Sequence, residues 1–356
     1  MAVIKQWMIY GAYGYTGRLI VEEAVRRGHQ PILAGRDENK LLDMAAEFGL
    51  TCRLFDLSHR QKIRQAIEDL GLVLNCAGPF ARTAAPIRQA CLDCSVHYLD
   101  ITGEIEVLEA SYSCYEQARE SGTVIISGVG FDVVPTDVLA LLLKQAMPDA
   151  THLELAFAGS GGGISPGTAK TMLLMMPRQG KIRQDGEIVS VPLAWHSRMI
   201  DFIDKPRLCM TIPWGDIATA FYSTDIGNIR VYTAVEPGQL KWMRRLRFLS
   251  PLLSWSKLSA WLEKQIDKKV QGPNETERAQ SVMYLTGMVN NADKHVTMMM
   301  QTPEGYSYTV LTALLAVEEL LAHKVMPGAY TPAQALPLDA ITGMEGVVVK
   351  TIENRE

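Results

Sequence analysis

The sequence lacks a long apolar run and a strong excess of charge of either sign. No uninterrupted apolar stretch approaches the roughly 18–20 residues that span a bilayer. Residues 1–9 also lack the apolar core and small-residue cleavage site of a signal peptide. We therefore expect the chain to stay in the compartment where it is made, the cytoplasm. The net charge of −4 argues against a nucleic-acid partner, because domains that bind nucleic acid are usually clearly basic.

Cysteine is scarce, and its spacing does not describe a metal site. Cys91 and Cys94 form a single CxxC motif, whereas a structural zinc site needs four ligands. Cys91 also lies inside a helical pattern, not at a helix start where a redox-active thiol is activated. We expect reduced, buried thiols and no bound metal. The other cysteines are Cys52, Cys76, Cys114 and Cys209.

The first third of the chain contains a regular alternation of short apolar strands and amphipathic helices. Such alternation predicts a parallel sheet with right-handed crossovers. Six strands make a doubly wound α/β sheet of the Rossmann type, whose ligands lie beyond the carboxyl ends of the strands. The length of 356 residues leaves room for a second domain. The predicted strands are residues 6–10, 31–34, 52–55, 72–76, 97–101 and 124–127.

A glycine-rich turn, GAYGYTG, connects the first strand to the first helix. Gly11 permits the tight turn, Gly14 lets a pyrophosphate approach the backbone, and Gly17 lets the helix pack closely on the sheet. The helix amides and dipole then point at the phosphates, and Thr16 adds a hydroxyl donor. The alternative is a glycine-rich turn that binds nothing. The predicted cofactor-binding residues of this turn are Gly11, Tyr13, Gly14, Tyr15, Thr16 and Gly17.

The end of the second strand lacks the carboxylate that holds the ribose 2′-hydroxyl in NAD enzymes. The sequence there is Ala34-Gly35-Arg36. The missing carboxylate removes repulsion against a 2′-phosphate, and the Arg36 guanidinium suits phosphate oxygens. We predict NADP in preference to NAD. The alternative is that Arg36 is an ordinary surface arginine.

Two further loops at the carboxyl ends of strands are predicted to contact the cofactor. Asp56 follows the third strand and is placed to meet the adenine ring. The small residues and rigid proline of NCAGPF follow the fourth strand and would let the nicotinamide ribose lie against the backbone. The predicted contacts in that loop are Cys76, Ala77, Gly78 and Pro79.

These motifs together resemble the saccharopine dehydrogenase-like oxidoreductases, a group that includes mycobacterial trans-acting enoyl reductases. GAYGYTG, AGR, NCAGPF, YLDITGE and GVGFDVVPTDV occur in that order and spacing, and the resemblance continues to Gly215-Asp216, residues 272–275 and residues 302–306. It implies a Rossmann domain followed by a second α/β domain with a mixed sheet. We expect the NADP-binding domain at residues 1–134 and a substrate and dimerisation domain at 135–356. A helix near 308–322 is expected to pack back on the first domain.

Asp100 and Tyr98, in the YLDITGE segment, are the predicted catalytic residues. Hydride transfer to a C=N or C=C bond leaves a developing charge that a placed acid can neutralise. The alternative is structural, with Asp100 capping the helix that starts near Ile105. Asp132 has the same two interpretations, as a cap or as a substrate contact. The predicted substrate-contacting residues are Phe80, Gly103, Glu104, Phe131 and Asp132.

The resemblance implies an NADP-dependent oxidoreductase that reduces an unsaturated C=C or C=N substrate, with an apolar or lipid-like molecule preferred. The alternative is a catalytically silent NADP-binding scaffold or partner protein. Residues 241–262 place three arginines before a tryptophan-bearing apolar stretch, which suits a subunit interface, a core hairpin or peripheral contact with anionic lipid. We expect a small-molecule substrate and a homodimer.

Overall fold

The structure is a computed structural model, and it describes residues 6–161, 163–175, 179–246, 265–266 and 269–352. It divides into two compact units. Unit 1 comprises the described residues up to Phe131 together with Tyr306–Leu336. Unit 2 comprises Asp132–Gly305 and the described residues from Pro337 onward. The boundary therefore falls three residues before the one expected from the sequence.

The helices and strands follow one another in a regular order. Those of the first third are β1 Trp7–Tyr10, α1 Tyr15–Arg26, β2 Ile32–Gly35, α2 Glu38–Phe48, β3 Cys52–Leu54, α3 Arg60–Ile67, β4 Leu72–Asn75, α4 Phe80–Cys94, β5 His97–Asp100, α5 Ile105–Tyr112, α6 Tyr115–Ser121 and β6 Val124–Ser127. The middle of the chain contains α7 Val134–Ala146, β7 His152–Gly159, α8 Pro166–Met175, β8 Gly180–Gln184, β9 Glu187–Val191, β10 Ser197–Ile200, β11 Arg207–Thr211, α9 Asp216–Thr224, β12 Asn228–Ala234 and α10 Pro237–Leu246. The last part contains α11 Glu275–Gln280, β13 Val282–Asn290, β14 His295–Pro303, α12 Gly305–Leu321, β15 Gly328–Tyr330, α13 Pro332–Ala335, α14 Leu338–Thr342 and β16 Val348–Ile352.

Unit 1 is built on a seven-stranded parallel sheet with the order β15-β6-β5-β4-β1-β2-β3. The predicted doubly wound α/β fold is confirmed. Strand β1 lies between β2 and β4, with Tyr10 paired to both Ala34 and Asn75. Because all three strands run in the same direction, the loops that begin at Gly11, Gly35 and Cys76 leave one edge of the sheet together.

The seventh strand comes from the far end of the chain and was not predicted. β15 pairs in parallel with β6, with Ala329 opposite Ile125. Helix α12, which contains the predicted 308–322 segment, belongs to the same unit. Its Thr312 hydroxyl donates to the carbonyl of Val129 at 2.8 Å, and its Glu318 carboxylate accepts from Arg27 at 3.0 Å. Unit 1 is therefore assembled from two separate stretches of sequence.

The sequence pattern predicts one helix over residues 86–92 and one over 105–120, and both differ from those observed. Helix α4 begins at Phe80 rather than at Pro86, because the first amides of the longer helix are held by a residue from another loop, Glu104. The single helix expected over 105–120 is two helices, α5 and α6, separated at Ser113 and Cys114.

Unit 2 contains a nine-stranded mixed sheet, the second sheet that the resemblance implied. Its main path is β10-β11-β12-β7-β13-β14-β16, and β8 joins β12 to β9. Only the β12–β7 pairing in this path is parallel. Helix α7 packs on one face, where Leu139 and Leu143 occupy the space above Gly287 of β13. A side chain on Gly287 would clash with them, so this glycine fits the close packing of the helix.

The described residues contain no helix that is long and apolar enough to cross a membrane. The segment predicted as an interface or lipid contact, 241–262, is described only through the end of α10. Residues 247–262 lie outside the described residues.

Candidate functional site

The glycine turn after β1 adopts the conformation that a bare backbone requires. Gly11 has a φ of +83°, and a Cβ there would lie 2.8 Å from the backbone nitrogen of Ala77. Its N–H donates to the carbonyl of Ala34 at 2.8 Å, and the N–H of Gly14 donates to Gly11 at 3.0 Å. At Gly17 a Cβ would lie 2.9 Å from the carbonyl oxygen of Ala12. The turn therefore packs against both β2 and the loop after β4. A side chain at Gly11 or Gly17 would require the neighbouring backbone to move.

Helix α1 begins directly at this turn. Its N-cap is Gly14, which offers no side-chain cap to the first amides, and the first turn contains no acidic residue. The positive end of the helix dipole is therefore not neutralised by an acidic side chain in the first turn, and a bound anion would be stabilised there. Thr16 lies in the first turn, half-buried. The ring of Tyr15 packs edge-on against Tyr306 with centroids 4.9 Å apart, so Tyr15 also fastens the turn to α12.

The turn after β2 is held by Tyr13 from the glycine turn. The Tyr13 hydroxyl accepts the backbone N–H groups of Arg36 and Asp37, both at 3.1 Å. The Arg36 side chain is exposed and forms no ion pair with another described residue. Asp37 is the N-cap of α2, where its Oδ1 accepts the N–H of Lys40 at 3.3 Å. The carboxylate next to Arg36 in the chain, that of Asp37, is therefore engaged in capping, while the Arg36 guanidinium forms no such contact with a described residue.

Asp56, the predicted adenine contact, lies in an exposed turn after β3. Its Oδ1 accepts the N–H of Ser58 at 2.9 Å and also the Ser58 hydroxyl. These hydrogen bonds lower the pKa of the Asp56 carboxyl. Asp56 is thus an ionised acceptor in a turn that its own side chain stabilises.

The predicted nicotinamide loop is held by polar groups at the end of β4. The Asn75 side chain accepts the N–H of Ala77 at 3.0 Å, and the Thr83 hydroxyl donates to the Ala77 carbonyl at 2.6 Å. The Gly78–Pro79 peptide bond is cis. Burial raises the pKa of the Cys76 thiol, so this thiol stays protonated. The loop presents small residues on a backbone held by hydrogen bonds, and its contact with the nicotinamide ribose stays a prediction.

Asp100 and Tyr98 lie on β5, an interior strand of the sheet, and neither has any exposed surface. The Asp100 Oδ1 accepts the N–H groups of Thr102 at 3.1 Å and Gly128 at 3.0 Å, and its Oδ2 accepts the Ser127 hydroxyl at 2.9 Å. Burial raises the pKa of Asp100 and that of Tyr98. The predicted cap is wrong, because the N-cap of α5 is Glu104 and that cap has no side-chain hydrogen bond. Asp100 instead connects the loop after β5 to the end of β6, and the catalytic role of both residues stays a prediction.

A chain of hydroxyl groups extends this buried network to an arginine. Ser127 and Ser111 share a hydrogen bond of 2.7 Å, and the Arg88 guanidinium donates to the Ser111 hydroxyl at 2.8 Å. Arg88 lies on α4 and is 8% exposed. Sequence reasoning missed this buried arginine, because Arg88 has the spacing of an ordinary polar position on an amphipathic helix.

Glu104 is the residue that caps α4. Its Oε1 accepts the N–H of Phe80 and its Oε2 accepts the N–H of Ala81, both at 2.8 Å. Its own N–H donates to the Thr102 hydroxyl at 3.1 Å. Burial raises the pKa of Glu104, although the two amides oppose this shift. Glu104 and Phe80 thus lie close together, and the substrate role of these two residues and of Gly103, which precedes Glu104, stays a prediction.

Phe131 and Asp132 fall on either side of the unit boundary. In unit 1, the Phe131 N–H donates to the Thr309 hydroxyl at 2.9 Å, and its ring meets Tyr308 edge-on at 6.3 Å. In unit 2, Asp132 is half-buried, and burial raises its pKa to about 6. Phe131 therefore has a packing role. Asp132 does not cap α7, whose N-cap is Val133 without a side-chain hydrogen bond, and the substrate role of both residues stays a prediction.

A buried carboxyl that the sequence did not single out lies in unit 2. Asp216 has no exposed surface, and neither of its carboxylate oxygens has a hydrogen-bond partner among the described residues. The nearby Thr136 hydroxyl donates instead to the carbonyl of Val133 at 3.0 Å. Burial, together with the charge of Asp137, raises the pKa of Asp216 well above its usual range. The Gly215-Asp216 pair within the resemblance was the available indication.

The part of the chain that the structure describes contains no group of three or more histidine, cysteine, aspartate or glutamate side chains arranged to hold a metal ion. The described cysteines are all free thiols. Burial raises the pKa of Cys91, so the Cys91 thiol stays protonated.

A parallel doubly wound sheet, a glycine turn whose last glycine before the first helix leaves the helix amides uncapped and an arginine after β2 define a dinucleotide-binding domain of the NADP type. Residues 7–126 match the family model of the saccharopine dehydrogenase NADP binding domain. The resemblance to saccharopine dehydrogenase-like oxidoreductases and the prediction of NADP are both confirmed.

Known proteins resemble the chain to different extents. A saccharopine dehydrogenase-like oxidoreductase of Bos taurus is 26% identical over 216 residues, which cover 52% of this chain and 50% of that protein. A lipid droplet localized protein of Caenorhabditis elegans is 27% identical over 188 residues, covering 47% of this chain and 44% of that protein. The matches thus span about half the length of these relatives.

The fold also resembles a solved structure over nearly its full length. Saccharopine dehydrogenase (L-Glu forming) from Saccharomyces cerevisiae, in its apo form, covers 98% of this chain and 100% of its own, with a TM-score of 0.67. The sequence identity is 12%, so this likeness concerns the fold.

Proposed function

We propose that the chain is an NADP-dependent oxidoreductase that transfers a hydride to an unsaturated C=C or C=N substrate of apolar, lipid-like character. The observation that carries the proposal is the exposed Arg36 guanidinium, which has no ion pair with a described residue and follows β2 beside the bare glycine turn. A cation at this position suits a 2′-phosphate and gives no advantage to a free ribose hydroxyl.

Each loop at this edge of the sheet has a proposed task. The amides at the start of α1, beside Gly14, hold the pyrophosphate. Asp56 contacts the adenine. The Cys76–Pro79 loop carries the nicotinamide ribose on its backbone. NADPH, when bound, supplies the hydride, and the protein residues orient the ring and exclude water from it.

The reduction also needs a proton donor. Asp100 and Tyr98 are the candidate donors of this proton. In this proposal the buried Asp100 and Tyr98 of β5 orient the loop that follows that strand. Their direct involvement as acids would require movement of groups that are now hydrogen-bonded.

The substrate class rests on the resemblance to trans-acting enoyl reductases, which reduce a C=C bond, and on the relative whose name places it on lipid droplets. Trp242 of α10 is 56% exposed, which supports contact of this helix with a lipid surface or a partner. A cytoplasmic location with peripheral lipid contact and a homodimer are part of the proposal. A C=N substrate is the close alternative.

A second candidate is an NADP-binding scaffold without turnover. The burial of Asp100 and Tyr98, with their hydrogen-bonding groups engaged, favours it. The two candidates differ in one measurement. A reductase oxidises NADPH when extracted cell lipids are supplied as acceptors, whereas a scaffold binds NADPH and leaves its absorbance unchanged with every acceptor.

Calorimetric titration with NADPH and NADH tests the cofactor assignment. Arg36→Ala should weaken NADPH binding by at least about tenfold, since it removes charge-assisted hydrogen bonds, and leave NADH binding little changed. Arg119→Ala, an exposed arginine on α6 that pairs with Glu116, is the matched control. Equal affinity of the unaltered protein for both coenzymes, or none for either, would refute the proposal.

A further inference from the structure

Tyr13 occupies an unusual position between two loops of unit 1. It belongs to the glycine turn, yet its ring lies where a side chain on Gly35 would lie, with the Tyr13 Cζ 2.9 Å from such a Cβ. Gly35 therefore leaves room for the Tyr13 ring. The position of the Tyr13 ring therefore depends on the absence of a side chain at Gly35, the residue directly before Arg36.

The Tyr13 hydroxyl uses its oxygen as an acceptor but does not donate its proton to a described residue. Its oxygen accepts two backbone N–H groups, those of Arg36 and Asp37, each at 3.1 Å. A phenol can also donate its own proton, and no described residue accepts it. The proton is left for a ligand atom beside the Arg36 turn. A phosphate oxygen is a strong acceptor, whereas a ribose hydroxyl is a weaker one.

A cation on α2 also lies near the Tyr13 ring. The Lys40 ammonium is 6.0 Å from the centre of the Tyr13 ring and 3.6 Å from the Asp37 carboxylate. Its side chain is 66% exposed, so it can turn toward a ligand at little cost. Asp37 caps α2 through its other oxygen, which holds that negative charge at the helix start.

We infer that Tyr13, Arg36 and Lys40 form a composite site for the 2′-phosphate of NADP. Arg36 and Lys40 supply two positive charges, and the Tyr13 phenol both positions the Arg36–Asp37 turn and donates a hydrogen bond to the phosphate. The inference rests on the proposed assignment of Arg36 to that phosphate. It goes further by making Tyr13 and Lys40 determinants of the choice between NADP and NAD.

The test compares the dissociation constants of NADPH and NADH, and of 2′,5′-ADP and 5′-ADP, by calorimetry. Tyr13→Phe keeps the ring and removes the hydroxyl. It should weaken NADPH and 2′,5′-ADP by about tenfold and leave NADH and 5′-ADP within about twofold. Lys40→Ala should weaken the phosphorylated ligands by about threefold and reduce the salt dependence of their binding.

Two further variants separate positioning from general damage. Gly35→Ala should push the Tyr13 ring aside and reproduce the Tyr13→Phe pattern. Tyr222→Phe and Lys294→Ala, exposed positions of unit 2, are matched controls and should leave all four constants unchanged. Should Tyr13→Phe fail to fold, Lys40→Ala decides alone, because this exposed side chain does not affect the core.

The outcomes distinguish the inference from the function on which it rests. Suppose that Tyr13→Phe and Lys40→Ala weaken the binding of NADPH and NADH equally, or weaken the binding of neither coenzyme. If Arg36→Ala still removes the preference for NADPH, the composite site is wrong and the NADP assignment stands. If the unaltered protein has no preference for NADPH, both fail together.

Discussion

Single buried polar residues carry much of the organisation of unit 1 and much of its unusual chemistry. Asp100 holds two backbone amides and a hydroxyl away from water, and the serine chain leads from it to Arg88. In unit 2, Asp132 and Asp216 are carboxyls whose charged forms burial disfavours. Asp100 and Asp216 differ in their hydrogen bonds. Both carboxylate oxygens of Asp100 have partners, whereas those of Asp216 have none among the described residues.

Asp100→Asn tests whether this carboxyl is structural. Asparagine keeps the shape but replaces one oxygen by an NH₂ group, which cannot accept from a neighbouring donor. We expect the free energy of unfolding to fall by about 2 kcal/mol, measured by chemical denaturation. Loss of NADPH oxidation with unchanged unfolding would contradict this and support the predicted catalytic role instead.

Asp132 should make stability depend on pH in a defined window. Its pKa rises from 3.8 to about 6 on folding, so the folded state binds more protons between these values and stability falls as the pH rises from about 4 to about 6. The full shift corresponds to roughly 3 kcal/mol, which solvent screening of this half-buried group reduces to about 1–2 kcal/mol.

Asp132→Asn removes that titration. The difference in unfolding free energy between the two proteins should change through this window and stay flat above about pH 7. Asp293→Asn, at an exposed turn, is the control and should show no such change. A difference that is constant from pH 4 to pH 7 would show that Asp132 is not perturbed.

Among the secondary-structure elements, α4 depends on a cap from outside its own sequence. Glu104 binds the amides of Phe80 and Ala81, so the start of the helix and the loop after β5 are fixed together. A carboxylate at this end also interacts favourably with the helix dipole.

Glu104→Ala should lower the free energy of unfolding by about 1–2 kcal/mol. It should also speed hydrogen exchange at the amides of Phe80 and Ala81, with the rest of α4 less affected. Glu120→Ala, an exposed glutamate on α6, provides the comparison. Unaltered exchange at these two amides would rule out the capping role.

The sequence predicted the elements that depend on local patterns. Strands β1 to β6 and the glycine turn follow from apolar runs and from residues adjacent in the chain. Strand β15 has only three residues, Gly328–Tyr330, and its pairing with β6 depends on the distant fold. The start of α4 was missed for the same reason, because its cap comes from Glu104. Tyr13 was predicted as a cofactor contact, but its hold on the Arg36 turn requires coordinates.

Over the whole molecule, unit 1 is discontinuous, and this has an experimental consequence. A fragment of residues 1–131 lacks β15 and α12, and should not unfold cooperatively. The same fragment joined to residues 306–336 by a short glycine-serine linker should fold and bind NADPH. A short linker suffices because the Phe131 N–H lies 2.9 Å from the Thr309 hydroxyl. Circular dichroism on heating and calorimetry with NADPH measure both properties, and cooperative unfolding of residues 1–131 alone would contradict the prediction.

The late position of β15 in the chain also affects the order of events during translation. Strand β6 leaves the ribosome with its outer backbone groups unpaired, and they stay so until about two hundred further residues have been synthesised. An unpaired strand is a template for pairing with other chains. The nascent coenzyme-binding unit therefore passes through a period in which it is exposed to chaperones and to aggregation, and it becomes complete only after most of unit 2 has emerged.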